Sequence, residues 1–284
     1  MTRKVALITG ANQGLGFALV EGLCRALGPE ATVYLSARNV QRGEEAVKEL
    51  RGRGLSPAFL RLDVTDEASV ADAAQTLRTR HGGVDIVIHN AAARMSRELA
   101  PSDQVRQFIG TNNHGTYRMI RAFGPLLKDH ARFLVIASSF GSLRNLPPAL
   151  HPQFDIATRS LEDIEQAMDD YVALVEADRA KEQGWPDWIN VASKIGQVAS
   201  ARIMARDLRD EAAQRGILIN AACPALIDTE ASRPWFTDMS SAQTPAQAAV
   251  DVVWLATLPG GTRTPYGELV RHRKLVPWLE QATP

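Results

Sequence analysis

Hydrophobic and polar positions follow two rhythms along this chain. Short, nearly continuous apolar runs are bounded by turn residues and predict buried strands. They are KVALIT at 4–9, TVYLSA at 32–37, AFLRLDV at 58–64 and VDIVIHN at 84–90. RFLVIASS at 132–139, GILINAACP at 216–224 and residues 266–270 continue the series. Between these runs the spacing is helical. Leu15, Leu19, Leu23 and Leu27 recur every fourth residue within 15–27. Further helices are predicted over 40–51, 66–80, 103–128, near 194–214 and over 245–257. Such alternation predicts an α/β fold, a Rossmann-type doubly wound parallel sheet covered on both faces. Ligands of these sheets bind beyond the carboxyl ends of the strands.

The alternation breaks once, between Ser139 and Trp185. SLRNLPPALHP at 142–152 is a loop punctuated by proline. Residues 160–182 then place Leu161, Ile164, Met168, Tyr171, Val172 and Val175 on one helical face, with Glu, Asp and Arg elsewhere. This predicts an amphipathic surface helix, either a decoration or a cover for a sheet face or for one wall of an active site. The chain, residues 1–284, is therefore read as a single domain with a helical insertion near 141–184.

Charge narrows the function classes. Lys plus Arg and Asp plus Glu are equal at 32 each, which leaves no electrostatic footprint for nucleic acid or an anionic membrane. Cys24 and Cys223 are far apart and show no metal-ligand spacing, so no metal site is expected. The start MTRK precedes only VALI before Thr9 and Gly10, too little for a secretory apolar region. The expectation is a soluble cytoplasmic protein that acts on a small molecule.

TGANQGLG at 9–16 sits where the first strand turns into the first helix. Gly10, Gly14 and Gly16 let backbone approach a pyrophosphate, and the helix N-terminus offers unpaired N–H groups to it. Asn12, Gln13 and Leu15 belong to the same octet. The second strand ends in SAR at 36–38, with no carboxylate for ribose hydroxyls. Arg38 there can pair with a 2′-phosphate, which favours NADP over NAD. LDV at 62–64 ends the third strand, so Asp63 and Val64 fall beside the adenine site. The alternative for Asp63 is to cap the helix starting near 66.

These motifs resemble the short-chain dehydrogenase/reductase family. HNAA at 89–92 stands where that family has Asn-Asn-Ala-Gly and brings Asn90 to the cofactor. Asn112 in TNNHGT, Ser139 in IASSFGS and Lys194 in SKIGQ match members of its catalytic set. CPALIDT at 223–229 resembles the segment that borders the nicotinamide, with Thr229 as a carboxamide contact. The ordered motifs, the GWP at 184–186 and the long insertion are similar to the monomeric carbonyl reductase branch. The resemblance implies a monomer, NADPH as reductant and Lys194 on the cofactor ribose.

It also exposes one departure. The family carries Tyr four residues before the Lys, and Tyr gives the developing alkoxide its proton. Here that position is Asn190. An amide donates a hydrogen bond but gives up no proton near neutral pH. A positioned acid is worth typically about 10²–10⁴-fold. Lys194, Tyr171, His114 and His151 are the other candidate donors. Ala92 and Ala225 replace glycines where the family's backbone nears the cofactor.

Phe140, Trp185, Trp188, Trp235 and Phe236 flank the motif segments and suggest an apolar or aromatic substrate cleft. Helical spacing would send Trp188 and Asn190 in different directions. Three readings remain. One is an NADPH-dependent carbonyl or imine reductase with a modified proton supply. The others are a cyclase or isomerase on the same scaffold, and a catalytically silent NADP-binding protein.

Overall fold

A computed structural model of the chain describes residues 3–279. Among these residues one sheet has eight strands, in spatial order β3-β2-β1-β4-β5-β6-β7-β8. The strands are β1 (Val5–Ile8), β2 (Thr32–Ala37), β3 (Ala58–Arg61), β4 (Val84–His89), β5 (Leu127–Ile136), β6 (Leu218–Cys223), β7 (Leu269–Arg271) and β8 (Lys274–Val276). All neighbours pair in parallel except β7 with β8. The chain runs outward from β1 to β3 and then returns to β4 on the other side of β1. The crevice where strand order reverses lies between β1 and β4, the place such folds offer to ligands.

Helices cover both faces. On one, α1 (Gly14–Leu27), α2 (Val40–Gly52) and α9 (Pro245–Ala256) bury Leu19, Leu23, Val47, Leu50 and Val252 against Ile8, Leu35 and Ile88. On the other, α3 (Glu67–His81), α5 (Gly115–Phe123) and α7 (Ile189–Asp207) bury Leu77, Met119, Phe123 and Met204 against Leu7, Val87 and Phe133. Strands β1, β4 and β6 are buried at every position, which is why they read as unbroken apolar runs.

The long helix expected over 103–128 is three pieces. The π-helical turn Gly110–His114 lies between α4 (Pro101–Ile109) and α5. Pro125 lacks the N–H that a continuing helix needs, and β5 begins directly afterwards, earlier than its apolar core suggests. The helix expected near 194–214 starts a turn earlier, at Ile189, and breaks at Leu208 before α8 (Arg209–Arg215). Strand β8 was not expected at all.

The insertion carries three short 3₁₀ turns and α6 (Leu161–Glu176). Ser160 and Asp163 form a reciprocal capping box that fixes the start of α6. Its apolar stripe, Ile164, Met168, Tyr171, Val172 and Val175, packs on Val105 and Phe108 of α4 and on Ile195 and Ala199 of α7. Gly196 permits this approach, since a Cβ there would lie 2.6 Å from the Met168 sulfur. The insertion thus covers the outer surface of α4 and α7, the helix that carries Asn190 and Lys194.

Candidate active site

The turn from β1 into α1 is built for close backbone approach. Gly10 has φ +60, and a Cβ there would lie 2.8 Å from Ala91 Cα. A Cβ on Gly16 would lie 2.6 Å from Asn90 Nδ2. Gln13 caps α1 without a side-chain hydrogen bond, so the first-turn N–H groups, at Gly14 and beyond, have no side-chain acceptor there. Asn12 is half-buried and Leu15 points into the core, so Leu15 offers the loop only its main chain.

Asn90 fastens this loop to β4. Its Nδ2 donates to the carbonyls of Thr9 at 3.0 Å and Gly10 at 3.1 Å. Thr9 Oγ1 accepts from the backbone N–H groups of Asn90 and Ala91. Its own hydrogen is left for His89 Nδ1, 3.2 Å away, which places the His89 proton on Nε2. Nε2 has no hydrogen-bond partner among the described residues. Burial pushes His89 down to about 3, the Lys194 charge adds to this, and the Asn112 main chain opposes it.

Arg38 stands exposed at the end of β2, with no hydrogen bond or ion pair to other described residues. Asp63 does not cap α3. Its Oδ1 accepts from the Thr65 N–H and hydroxyl in a tight turn, and Asp66 is the cap, accepting from the Ala68 N–H. The hydrogen-bond demand of a helix start is met one residue before the helix, and Asp63 lies too far back. Val64 is buried against Gly115, and its carbonyl already accepts from Arg118.

Beyond the ends of β4, β5 and β6 lies a cleft of about 350 Å³ whose wall includes Asn112, Ser139, Asn190, Lys194 and Thr229. The Ser139 hydroxyl and the Asn190 amide make no hydrogen bond with other described residues. Asn112 is spent on structure: its Oδ1 accepts from the Ala93 N–H at 2.9 Å and its Nδ2 donates to Ser193 Oγ at 3.3 Å. Lys194 Nζ donates to Gln197 Oε1 at 2.7 Å and reaches the Ile136 carbonyl at 3.4 Å. Gln197 Nε2 donates to Thr116 Oγ1, which donates to the Asn112 carbonyl at 2.5 Å. No Asp or Glu lines the cleft among the described residues. Burial pushes the Lys194 ammonium down to about 8, and Cys223 beside it opposes the shift.

Four of the five aromatic residues meet in this wall. Trp188 stacks on Trp235 at 5.8 Å and meets Phe140 and Phe236 edge-on. Trp185 does not join them but packs between Phe154 and Tyr171 in the insertion. Trp188 and Asn190 line the same cleft, against the helical expectation. Trp188 is the extended residue before α7, so helical periodicity does not govern it.

The other donor candidates lie elsewhere. Tyr171 is fully buried under the insertion, and burial raises its phenol well above the usual range. His114 is held between Glu165 and Asp169, each 3.0 Å away. His151 bonds the Leu146 carbonyl at 2.9 Å. Ala225 adopts φ +63, the left-handed region that a glycine enters without cost. Thr229 is fixed by hydrogen bonds with Ser232, whose hydroxyl also reaches the Ile227 carbonyl. Sequence reasoning missed Gln197 and Thr9. Position i+3 from Lys194 on one helix was the available signal for Gln197.

The family model described as short chain dehydrogenase matches residues 4–147. This chain is 34% identical to pig (Sus scrofa) "Carbonyl reductase [NADPH] 1", over 97% of this chain and 94% of the relative. The chain belongs to the short-chain dehydrogenase family. Mouse (Mus musculus) "Carbonyl reductase [NADPH] 3" is also 34% identical, over 97% of this chain and 98% of that one. Among solved structures, salutaridine reductase from Papaver somniferum superposes with a TM-score of 0.80 over 94% of this chain and 99% of its own, at 24% identity. At that identity the likeness speaks for the fold. In this short-chain dehydrogenase Asn112, Ser139, Asn190 and Lys194 all line one cleft. None of its described helices is long and apolar enough to cross a membrane.

Proposed function

We propose that this short-chain dehydrogenase is an NADPH-dependent reductase of a carbonyl or imine on a small aromatic or apolar substrate. The observation that carries the reading is the convergence of Ser139, Asn190 and Lys194 on one aromatic-walled cleft beside the Gly-rich loop. The NADPH in the relatives' names supports the choice of cofactor.

The residues present suit a phosphorylated dinucleotide. The first-turn N–H groups of α1 would take the pyrophosphate; Gly10 and Gly16 pack the loop tightly on Ala91 and Asn90, and Gly14, where an added Cβ would meet nothing within 4 Å, leaves the start of α1 open toward it. Arg38, uncommitted to any described carboxylate, would take the 2′-phosphate. Asn90 holds the loop in register with β4. Lys194 would contact the nicotinamide ribose, and Thr229 the carboxamide. A reduced nicotinamide bound there supplies a hydride.

The chain's own part is to bind, orient and stabilise charge. The Ser139 hydroxyl, without a hydrogen-bond partner among the described residues, would hydrogen-bond the substrate carbonyl and favour the alkoxide that develops on its oxygen. The Asn190 amide can donate a second hydrogen bond to the same oxygen, but it keeps its proton. Asn112, bonded through both ends of its amide, ties the π-helical turn to Ser193 and to Ala93 in the loop after β4. Trp188, Trp235, Phe140 and Phe236 exclude water and stack on a flat substrate.

The insertion covers the α4 and α7 surface, which supports a monomer, and the chain is read as a one-domain cytoplasmic enzyme. The test is a turnover screen with NADPH and with NADH against aldehydes, quinones, ketones and cyclic imines. Cofactor oxidation with at least one class, faster with NADPH, supports the reading. No turnover in the presence of tight NADPH binding would instead favour a binding protein.

A further inference from the structure

We propose that Lys194 itself delivers the proton in this cleft, and that Gln197 is the positioning residue that holds its amine ready to do so. This rests on the reductase reading above. It answers what replaces a phenol where Asn190 stands.

The cleft's inventory narrows the donor. Arg94 and Arg271 line it, but guanidinium does not deprotonate in proteins. Hydroxyls, the indole and the Asn190 amide hold their hydrogens too tightly near neutral pH. Cys223 and Lys194 remain. The Cys223 sulfur is packed into the apolar cluster beneath the strand ends and makes no hydrogen bond with described residues. Lys194 lies one helical turn from Asn190 on the same side of α7, and both residues line the cleft.

The partners of Nζ are what a donor needs. A carboxylate beside an ammonium would hold its proton. Gln197 is neutral, and its carbonyl oxygen accepts an N–H from either the ammonium or the amine. Lys194 can therefore lose a proton without losing its position. Gln197 is itself fixed, buried and bonded through Nε2 to Thr116. No carboxylate stands among the described residues that line the cleft around Lys194. His89 on β4, kept neutral by burial, and the Ile136 carbonyl on β5 lie beside Lys194, while Arg271 on β7 and Arg94 after β4 line the same cleft. Burial brings Lys194 to about 8, so most of it is protonated at pH 7.

The step balances. A reduced nicotinamide held in the cleft would supply the hydride for the new C–H bond, itself becoming oxidised as the carbonyl carbon is reduced. The Nζ–H bond breaks, its electron pair stays on nitrogen, and the proton forms the O–H bond of the alcohol. Water then returns a proton to the amine.

The test pairs pH profiles with direct titration of the lysine. The full chain is prepared with ¹³Cε-labelled lysine, with and without NADP⁺, and the Lys194 signal is assigned with Lys194→Arg. In parallel, kcat/KM for NADPH-dependent reduction of a simple aldehyde is measured from pH 6 to 10. The parent profile should fall about tenfold per pH unit above the lysine's own midpoint. Gln197→Glu should raise both midpoints by a unit or more. Gln197→Leu, which places no charge in the core, should lower both. A structural role for Gln197 would change the rate without moving the profile. In Cys223→Ala a midpoint should persist, moved down if at all, because Cys223 opposes the downward shift of Lys194. The proposal is overturned by a flat parent profile, by a lysine signal that moves in the variants while the rate midpoint does not, or by loss of the midpoint in Cys223→Ala. Absence of turnover in every variant would remove the reductase reading as well, a result distinct from turnover with an unmoved profile.

Discussion

Thr9 gives its hydroxyl hydrogen to His89, joining the last residue of β4 to the residue after β1 through side chains buried in the sheet. The bond fixes the imidazole as the neutral Nε2–H form, and burial holds it there down to about pH 3. In the unfolded chain an imidazole titrates near 6.5. The unfolded state therefore binds a proton that the folded state refuses, and stability falls as pH drops from about 6.5 toward 3. His89→Asn should flatten this window. The parent should lose roughly 2–3 kcal/mol more than the variant between pH 7 and 4.5. Urea unfolding at pH 7, 5.5 and 4.5 checks it, and parallel curves for the two proteins would contradict it.

Arg38 is expected to set cofactor choice. Arg38→Ala should cost about 1.5–3 kcal/mol in NADP affinity, the range for hydrogen bonds to charged groups, and little in NAD affinity. Calorimetric titration of parent and variant with both cofactors is the check. Equal affinity of the parent for the two would end the idea.

Ala225 carries a side chain at φ +63. The left-handed region costs an L-residue roughly 1–2 kcal/mol, against about 0.5–1 kcal/mol of extra chain entropy lost by glycine. Ala225→Gly should thus stabilise the fold by about 0.5–1 kcal/mol. A lower denaturation midpoint in the variant would show that the methyl group contributes packing that outweighs the strain.

Trp188 is the centre of the aromatic wall, in ring contact with Phe140, Trp235 and Phe236. Trp188→Ala should raise KM for an aromatic aldehyde by roughly tenfold, and KM for a short aliphatic one far less, since ring contacts are worth about 0.5–1.5 kcal/mol beyond buried area. Equal effects on both substrates would mean the wall shapes the cleft without recognising rings.

Much of this was legible because burial leaves a periodic trace. Strands β1, β2 and β4, buried on both faces, announce themselves as apolar runs, and the Gly10 to Gly16 turn by its glycines. Strand β8 was invisible because its hairpin is turned by His272 and Arg273, both at positive φ, without the glycine or asparagine that usually marks such a turn. The π-helical turn at Asn112 gives no sequence signal, since its side chains read as ordinary helix. Ser139, Asn190 and Lys194 were found by motif and do share one cleft. Gln197 was missed because a buried glutamine matters here only through its partners, and partners are a property of the fold. Trp188 was misjudged because helical spacing was applied to a residue outside the helix.

The central claim is that Asn190 stands in the cleft where a proton-donating phenol would serve the reaction. It is tested most directly by kcat/KM for NADPH-dependent reduction of a simple aldehyde, measured in the parent and in Asn190→Tyr. A phenol nearer the substrate than the Lys194 amine supplies a better placed acid, and the ammonium one turn away lowers its pKa. The account predicts measurable but slow reduction by the parent and a rise of roughly tenfold to hundredfold in the variant, the lower part of what a positioned acid contributes. A fast parent whose rate is unchanged or lowered by the substitution, with fold and cofactor affinity intact, would contradict it.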